Sequence, residues 1–198
     1  NMPDKTVLFV GTHPDDVEIG CGGTLQIFKK NGIVPVGLVI TADYQNENVK
    51  RKDATLKSSE LFGYIPEFGC MDPRDVREDA IQIFVAEVIE RYKPVAVFSH
   101  SWKDGHHNHK IVSSGTDSAA RRIRNRLHFV GPEGEAEFSP NVFFIFTEEE
   151  FERKVKALEL HRAAYGDARY FHGEYLSQNC WLGQRVLQYV QRENAPYV

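Results

Sequence analysis

The sequence predicts an α/β fold of three layers (α/β/α), in which helices cover both faces of a mainly parallel β-sheet. Short apolar runs rich in β-branched and aromatic residues alternate along the chain with longer segments of helical periodicity. This alternation is typical of crossover units, which join parallel strands. The chain has 198 residues, of which 41% are hydrophobic. Because that length and composition suit one compact domain, we expect residues 1–198 to form a single domain.

The predicted strands are continuous apolar runs, as expected for strands that are buried on both faces of a sheet. They cover residues 6–12, 34–42, 94–100 and 141–147, with a further short strand within 66–76. In a Rossmann-like sheet, ligands bind beyond the carboxyl ends of the strands, where the strand order reverses. The residues that directly follow the strands are therefore candidates for a functional site.

The predicted helices carry apolar residues at helical spacing, and several end at a glycine or before a proline. They cover residues 22–32, 48–63, 78–93, 108–124, 147–166 and 179–194. Thr147 is the predicted N-cap of its helix, because acidic residues fill the first turn after it. The basic stretch at 120–126 is interpreted as a solvated helix face followed by a loop.

The composition argues against several classes of protein. A net charge of −4 gives no basic surface for nucleic acid or for an anionic membrane. No apolar run approaches the ~20 residues of a membrane span. The three cysteines are far apart and form no CxxC pair, which favours a reducing compartment, so we expect a cytoplasmic protein. The aromatic segments are assigned to the core but could include an interface, which leaves a homo-oligomer open.

Polar and charged side chains cluster after three of the predicted strands. The first strand is followed by "HPDD" at residues 13–16, and the second by Thr41 and Asp43. The third is followed by "SWKDGHHNH" at residues 101–109. Because the carboxyl ends of parallel strands share one edge of the sheet, we expect these groups to meet.

The spacing of these side chains indicates a metal site. His13 and Asp16 are three residues apart on a tight turn, so both can reach one point. A third ligand would come from a neighbouring strand end, where His106 and His109 have the same spacing and the spacing does not decide between them. Two histidines and one carboxylate with open positions form the ligand set of hydrolytic zinc sites and of non-haem iron sites.

Asp15 indicates a reaction in addition to metal binding. Adjacent side chains on a turn diverge, so Asp16 can bind metal while Asp15 faces the attacking water. A free carboxylate in that place meets the requirement for a general base.

Plainer interpretations exist for each motif taken alone. Asp15 or Asp16 could cap the helix that follows the turn. The glycines at 20–23 could form a phosphate loop, although the run lacks both the GxGxxG spacing and the Lys-Ser/Thr pair of a P-loop. We expect these glycines instead to let the backbone approach a ligand closely. His107 is interpreted as an ordinary surface residue and His100 as structural.

The stretches "HPDDVEIGCGGTL" and "DGHHNHK" together resemble the LmbE/PIG-L family of metal-dependent N-acetylglucosaminyl deacetylases. Weaker matches, "RKDATLKSSELFG" and "KVKALELHRAAYG", extend the resemblance over roughly residues 6–190. The resemblance implies that His13, Asp16 and His109 are zinc ligands and that Asp15 is the general base. It also implies that His106 is a protonated imidazole that stabilises the oxyanion.

The resemblance further implies that Arg51 and Asp72 bind substrate, with Arg74 and Asp75 as alternatives. Asn108 stands where members of the family usually carry aspartate.

The function implied by the resemblance is removal of the N-acetyl group from an N-acetylglucosamine-type sugar or sugar conjugate, with release of acetate. The expected cofactor is Zn²⁺, with Fe²⁺ as the alternative metal. Two other functions stay open: a deacylase of another small amide, such as a thiol conjugate or an antibiotic precursor, and a metal- or sugar-binding domain without turnover. Asp15 and His106 argue against the binding domain, because binding alone requires neither residue.

Overall fold

The computed structural model describes residues 5–43, 49–132 and 138–165. Its strands are β1 (Thr6–Gly11), β2 (Val34–Val39), β3 (Ile65–Phe68), β4 (Ala96–His100) and β5 (Asn125–Phe129). Its helices are α1 (Asp16–Lys30), α2 (Val49–Phe62), α3 (Glu78–Tyr92), α4 (His107–Ala119) and α5 (Glu148–Tyr165). Among these helices, none combines the length and apolarity needed to cross a bilayer. The helix predicted at 179–194 lies outside the described residues.

The strands form one five-stranded parallel sheet in the order β3-β2-β1-β4-β5. Successive side chains of a strand point to opposite faces, so β1 places Leu8 in one core and Phe9 in another. The core around Leu8 includes Val85 of α3 and Val112 of α4. The core around Phe9 is formed with α1, α2 and α5. Helices therefore cover both faces, which confirms the predicted three-layer α/β fold.

The strand order reverses at β1, which lies between β2 and β4. A crevice at the carboxyl ends of the strands is expected at such a reversal. The segments that follow Gly11 of β1 and His100 of β4 therefore lie beside one another, and they are the two segments with the polar motifs.

The prediction of a strand at 141–147 is wrong. The fifth strand is β5, and the end of the basic stretch at 120–126, predicted to be a loop, forms its first residues. Asn125–Phe129 pairs with β4 in parallel and so takes the position at that edge of the sheet. The segment at 141–147 is irregular. Its apolar side chains have another role: Phe144 packs on Phe28 and Phe98.

The glycines at 20–23 do not approach a ligand with their backbone, because they lie inside α1, which begins earlier than predicted. A Cβ atom at Gly20 would lie 2.2 Å from the Phe129 ring, and one at Gly23 would lie 2.2 Å from the Phe146 ring. Glycine at these positions lets two aromatic rings pack against the helix. The run is therefore a packing surface.

The N-terminus of α5 is capped as predicted. The hydroxyl of Thr147 accepts the backbone N–H of Glu150 at 3.3 Å, and the carboxylate of Glu150 accepts the backbone N–H of Thr147 at 2.6 Å. This reciprocal pair is a capping box, in which two otherwise unpaired helix N–H groups gain partners.

Glu18 of α1 is a fully buried carboxylate that contacts α2, α5 and Tyr64, the residue before β3. Its Oε1 accepts hydrogen bonds from the hydroxyls of Ser58 and Tyr64, and Nε2 of His161 lies 3.5 Å away. Burial raises the pKa of Glu18, but His161 and these hydrogen bonds together lower it by a larger amount. The net pKa of Glu18 therefore lies below its usual range. The carboxylate therefore stays charged inside the fold.

Replacing Tyr64 with phenylalanine should lower the free energy of unfolding by about 1.5–3 kcal/mol, the range for a buried hydrogen bond to a charged group. The ring would still pack against Gly37, so the lost bond to Glu18 dominates the effect. Urea unfolding measures the change. Tyr92→Phe is the matched control, because Tyr92 also donates to a carboxylate, that of Glu67, but at the surface. Equal losses in the two variants would contradict this role of Glu18.

Candidate active site

The turn between β1 and α1 separates two adjacent carboxylates. Oδ2 of Asp16 accepts the backbone N–H groups of Thr12 at 2.9 Å and His13 at 2.7 Å. These bonds direct the Asp16 carboxylate toward the residues that precede it on the turn. Asp15 is the residue before α1 and has a φ of +137°, a conformation that is unfavourable for a residue with a Cβ. Neither carboxylate caps α1, so the plainer interpretation of the motif fails.

Three potential ligand atoms lie close together beyond the carboxyl end of β1. Nδ1 of His13 lies 3.3 Å from Nε2 of His109 and 3.5 Å from Oδ2 of Asp16, and the last two atoms are 3.4 Å apart. Two ligand atoms that each lie ~2.1 Å from a metal ion at a tetrahedral angle are separated by ~3.4 Å. The three side chains therefore fit one face of a tetrahedral site.

Two further histidines lie close enough to belong to alternative ligand sets, but hydrogen bonds occupy the relevant nitrogen atoms. Nε2 of His100 lies 3.1 Å from the backbone nitrogen of Thr12 and 3.2 Å from Oδ2 of Asp16, so this nitrogen is engaged by the turn after β1. Nδ1 of His106 accepts the backbone N–H of Asn108 at 3.2 Å. A neutral imidazole that accepts at one nitrogen carries its hydrogen on the other, so Nε2 of His106 is a donor. The arrangement favours His13, Asp16 and His109.

The hydrogen bond from the backbone N–H of Asn108 to Nδ1 of His106 also bears on the charge of His106, which is the N-cap of α4. The resemblance implied a protonated ring, yet a protonated imidazole has no lone pair with which to accept a hydrogen bond. The structure therefore favours the neutral ring, which still offers the Nε2–H group as a donor.

The ring of His109 is held on three sides. It stacks on His100 with a centroid separation of 3.9 Å and on His106 with one of 4.4 Å. Its Nδ1 lies 3.1 Å from Oδ1 of Asp104, which is fully buried. Asp104 lies in the polar motif after the third predicted strand, and no role was predicted for it. Its position, two residues before His106 at a strand end, was the available signal.

Asp15 and Asp16 have opposite electrostatic surroundings. Burial raises the pKa of Asp15 well above its usual range and repulsion by Asp16 adds to this effect, while the charge of Arg51 opposes it. Burial also raises the pKa of Asp16, but His109 and His100 lower it by more, so its net pKa lies well below the usual range. Within the described residues, Oδ2 of Asp15 has no hydrogen-bond partner.

These side chains line one cavity of about 260 Å³. Its polar wall contains His13, Asp15, Asp16, Arg51, His100, Asp104, His106 and His109. Its apolar wall contains Ile19, Phe129, Gly131 and Pro132. The cavity therefore joins a charged surface to an apolar one.

Of the two predicted substrate-binding residues, Arg51 lines this cavity and Asp72 does not. Asp72 forms a turn with Asp75, whose backbone N–H donates to the Asp72 carbonyl at 3.0 Å. Its carboxylate accepts hydrogen bonds from the backbone and the guanidinium of Arg74. The structure does not support the prediction for Asp72, because its carboxylate is used within the turn.

Residues 8–120 match the PIG-L family, described as GlcNAc-PI de-N-acetylase. The uncharacterized deacetylase YaiS of Escherichia coli K12 is 24% identical over 169 residues, covering 80% of this chain and 91% of YaiS.

Two solved structures share the fold at low sequence identity. The A40926 pseudoaglycone deacetylase Dbv21 superposes with a TM-score of 0.74 and 16% identity, covering 89% of this chain and 90% of Dbv21. GalB, the 4-carboxy-2-hydroxymuconate hydratase of Pseudomonas putida KT2440, superposes with a TM-score of 0.70 and 19% identity. The match covers 95% of this chain and 88% of GalB. These two likenesses support the fold alone, since one neighbour is a deacetylase and the other a hydratase.

The family match spans more than half of the chain and includes both the turn after β1 and the start of α4. The chain therefore belongs to the PIG-L (LmbE-like) deacetylase family.

Proposed function

We propose that this protein is a metal-dependent N-deacetylase that releases acetate from an N-acetylglucosamine-type sugar or sugar conjugate. One observation carries the proposal: three ligand atoms converge within 3.3–3.5 Å of one another in the cavity that Asp15 also lines. The family description, GlcNAc-PI de-N-acetylase, supports the choice of substrate class.

His13, Asp16 and His109 would hold the metal. Two nitrogen ligands and one carboxylate suit Zn²⁺, and they also suit Fe²⁺. When bound, such an ion polarises an amide carbonyl and makes water a stronger nucleophile at neutral pH. Two backbone N–H groups fix the position of the buried Asp16 carboxylate beside the two histidines.

Asp15 would act as the general base and then as the general acid. It takes a proton from the water that attacks the amide carbon, and it returns that proton to the nitrogen as the C–N bond breaks. The products are acetate and a free amine. The support for this role is that Asp15 lines the cavity, is 3% exposed and lies outside the ligand cluster.

His106 would donate a hydrogen bond from Nε2–H to the oxygen that gains negative charge during the attack. A donor fixed in advance stabilises developing charge more than one that must reorient. His106 meets this condition because its backbone N–H and its Nδ1 are both held, by Asp104 and by Asn108.

The two walls of the cavity suggest how a substrate lies in it. Ile19 and Phe129 offer apolar surface for the methyl group of an acetyl, and Arg51 offers a charged donor for sugar hydroxyls or a charged conjugate. A Cβ atom at Gly131 would lie 3.9 Å from Ile19, so the two residues border the same part of the apolar wall. A small acyl group on a polar amine fits this division.

Acetate release from a panel of substrates tests the proposal. The panel should contain N-acetylglucosamine, its glycosides and phosphate conjugates, together with N-acetylated amino acids and sugar-free thiol conjugates as non-sugar amides. We expect release from at least one sugar conjugate at a rate far above that of the non-sugar amides. Release only from the non-sugar amides would contradict the sugar assignment, and release from none would contradict the deacetylase.

A further inference from the structure

Asp104 lies in the loop between β4 and α4, and its carboxylate contacts the candidate site from behind. Its side chain is fully buried. Oδ1 accepts the backbone N–H of His106 at 2.8 Å and lies 3.1 Å from Nδ1 of His109. A single oxygen therefore contacts both the start of α4 and the ring of a candidate ligand.

The contact is on the side of the His109 ring that faces away from the site. Nε2 of the same ring is the atom that lies 3.4 Å from Asp16 and 3.3 Å from His13. A carboxylate is only an acceptor, so Nδ1 must carry the hydrogen for the contact to be favourable. Nε2 then keeps its lone pair for a cation.

Asn108, the polar residue next to His109 in sequence, does not supply this contact. Its side-chain Nδ2 donates to the carbonyl of Pro73 at 2.7 Å, and its backbone N–H donates to His106. These bonds anchor α4 to the turn at 72–75. Within the described residues, Asp104 is thus the carboxylate that faces the outer edge of the His109 ring.

The neighbours of the His109 ring determine two different properties, the plane of the ring and the position of its hydrogen. His100 and His106 lie against the two faces of the ring, with centroids 3.9 Å and 4.4 Å away. Stacking fixes the plane of a ring but not which nitrogen carries the hydrogen. The acceptor at the edge of the ring decides that.

We propose that Asp104 is the positioning residue of the metal centre, which keeps the hydrogen of His109 on Nδ1 and directs the lone pair of Nε2 toward His13 and Asp16. Partners of this kind typically change metal affinity by 10–100-fold. The inference rests on the proposed function, because it assumes that a metal ion binds at these three side chains.

Asp104→Asn is the direct test, since it keeps the size of the side chain and one acceptor oxygen but removes the charge. We expect its zinc dissociation constant, measured by competition with a chromophoric chelator, to rise about 10–100-fold. Asp53→Asn is the matched control, because it makes the same chemical change at an exposed carboxylate of α2 that pairs with Lys57, and its affinity should stay close to wild type. Equal affinity of wild type and Asp104→Asn would overturn the proposal.

A second measurement needs no variant and no metal. In the metal-free wild type, nitrogen-15 NMR of the histidine rings distinguishes the Nδ1–H form from the Nε2–H form. The proposal predicts Nδ1–H for His109, and a dominant Nε2–H form would overturn it even if Asp104→Asn fails to fold. If the wild type binds no zinc in the competition assay, the proposed function itself fails, which separates the two outcomes.

Discussion

Replacing Asp15 with asparagine is expected to lower the rate of acetate release by about 10²–10⁴-fold, the contribution of a positioned general base. Asparagine has nearly the same shape as aspartate, but it cannot accept a proton at neutral pH. The three candidate ligand atoms belong to other side chains. The variant should therefore keep its metal and lose its turnover, and measuring both on the same preparation makes the result specific.

The same substitution should leave the fold intact or make it more stable. Burial and the neighbouring Asp16 raise the pKa of Asp15 in the folded protein. For a carboxyl group whose folded pKa is raised, stability is lost as the pH rises above the unfolded pKa. Asparagine removes that penalty at neutral pH, so the metal-free variant should not unfold at a lower temperature than wild type.

Asp53→Asn is the control for this experiment, because Asp53 is an exposed residue of α2 that pairs with Lys57. It makes the same chemical change away from the cavity, and its rate should match wild type. Wild-type turnover in Asp15→Asn would contradict the role of general base.

Replacing His109 with alanine is expected to abolish metal binding and, with it, activity. His109 supplies one of the three converging atoms, and its ring also packs against His100 and His106. Losing a direct ligand should cost more affinity than the ~10–100-fold typical of losing an outer partner. Metal content after dialysis, measured by elemental analysis, should fall to the background level.

His107→Ala is the matched control for this variant. His107 is also in the first turn of α4, but its side chain is exposed. Both substitutions remove an imidazole from the same helix turn, so a difference between them reports on the position of the ring. Retention of full metal content by His109→Ala would contradict the ligand assignment and favour a set that does not include His109.

The strands at the centre of the fold could be predicted from sequence because burial on both faces makes them continuously apolar. β5 was not predicted, because it is an edge strand and is not continuously apolar. Its first residues, Asn125 and Arg126, are exposed. The segment at 141–147 failed in the opposite way, since Phe144 packs on Phe98 although the segment is not a strand. An apolar run alone does not show whether its backbone pairs into a sheet.

The candidate ligands could be predicted because their spacing along the chain is local. His13 and Asp16 share a turn, and His106 and His109 share the start of a helix. The choice between the two histidines depends on which lone pairs the backbone already uses, and only the structure describes that. Asp104 has no local pattern of its own, because its role depends on a contact with His109 across the loop.

The central claim is that metal at His13, Asp16 and His109 makes the protein a deacetylase. The most direct test removes metal from the purified protein with a chelator, restores Zn²⁺ or Fe²⁺ stepwise, and follows metal content and acetate release together. We expect release to fall to background without metal and to recover in proportion to about one ion per chain. Acetate release that persists in protein shown to be metal-free would contradict it.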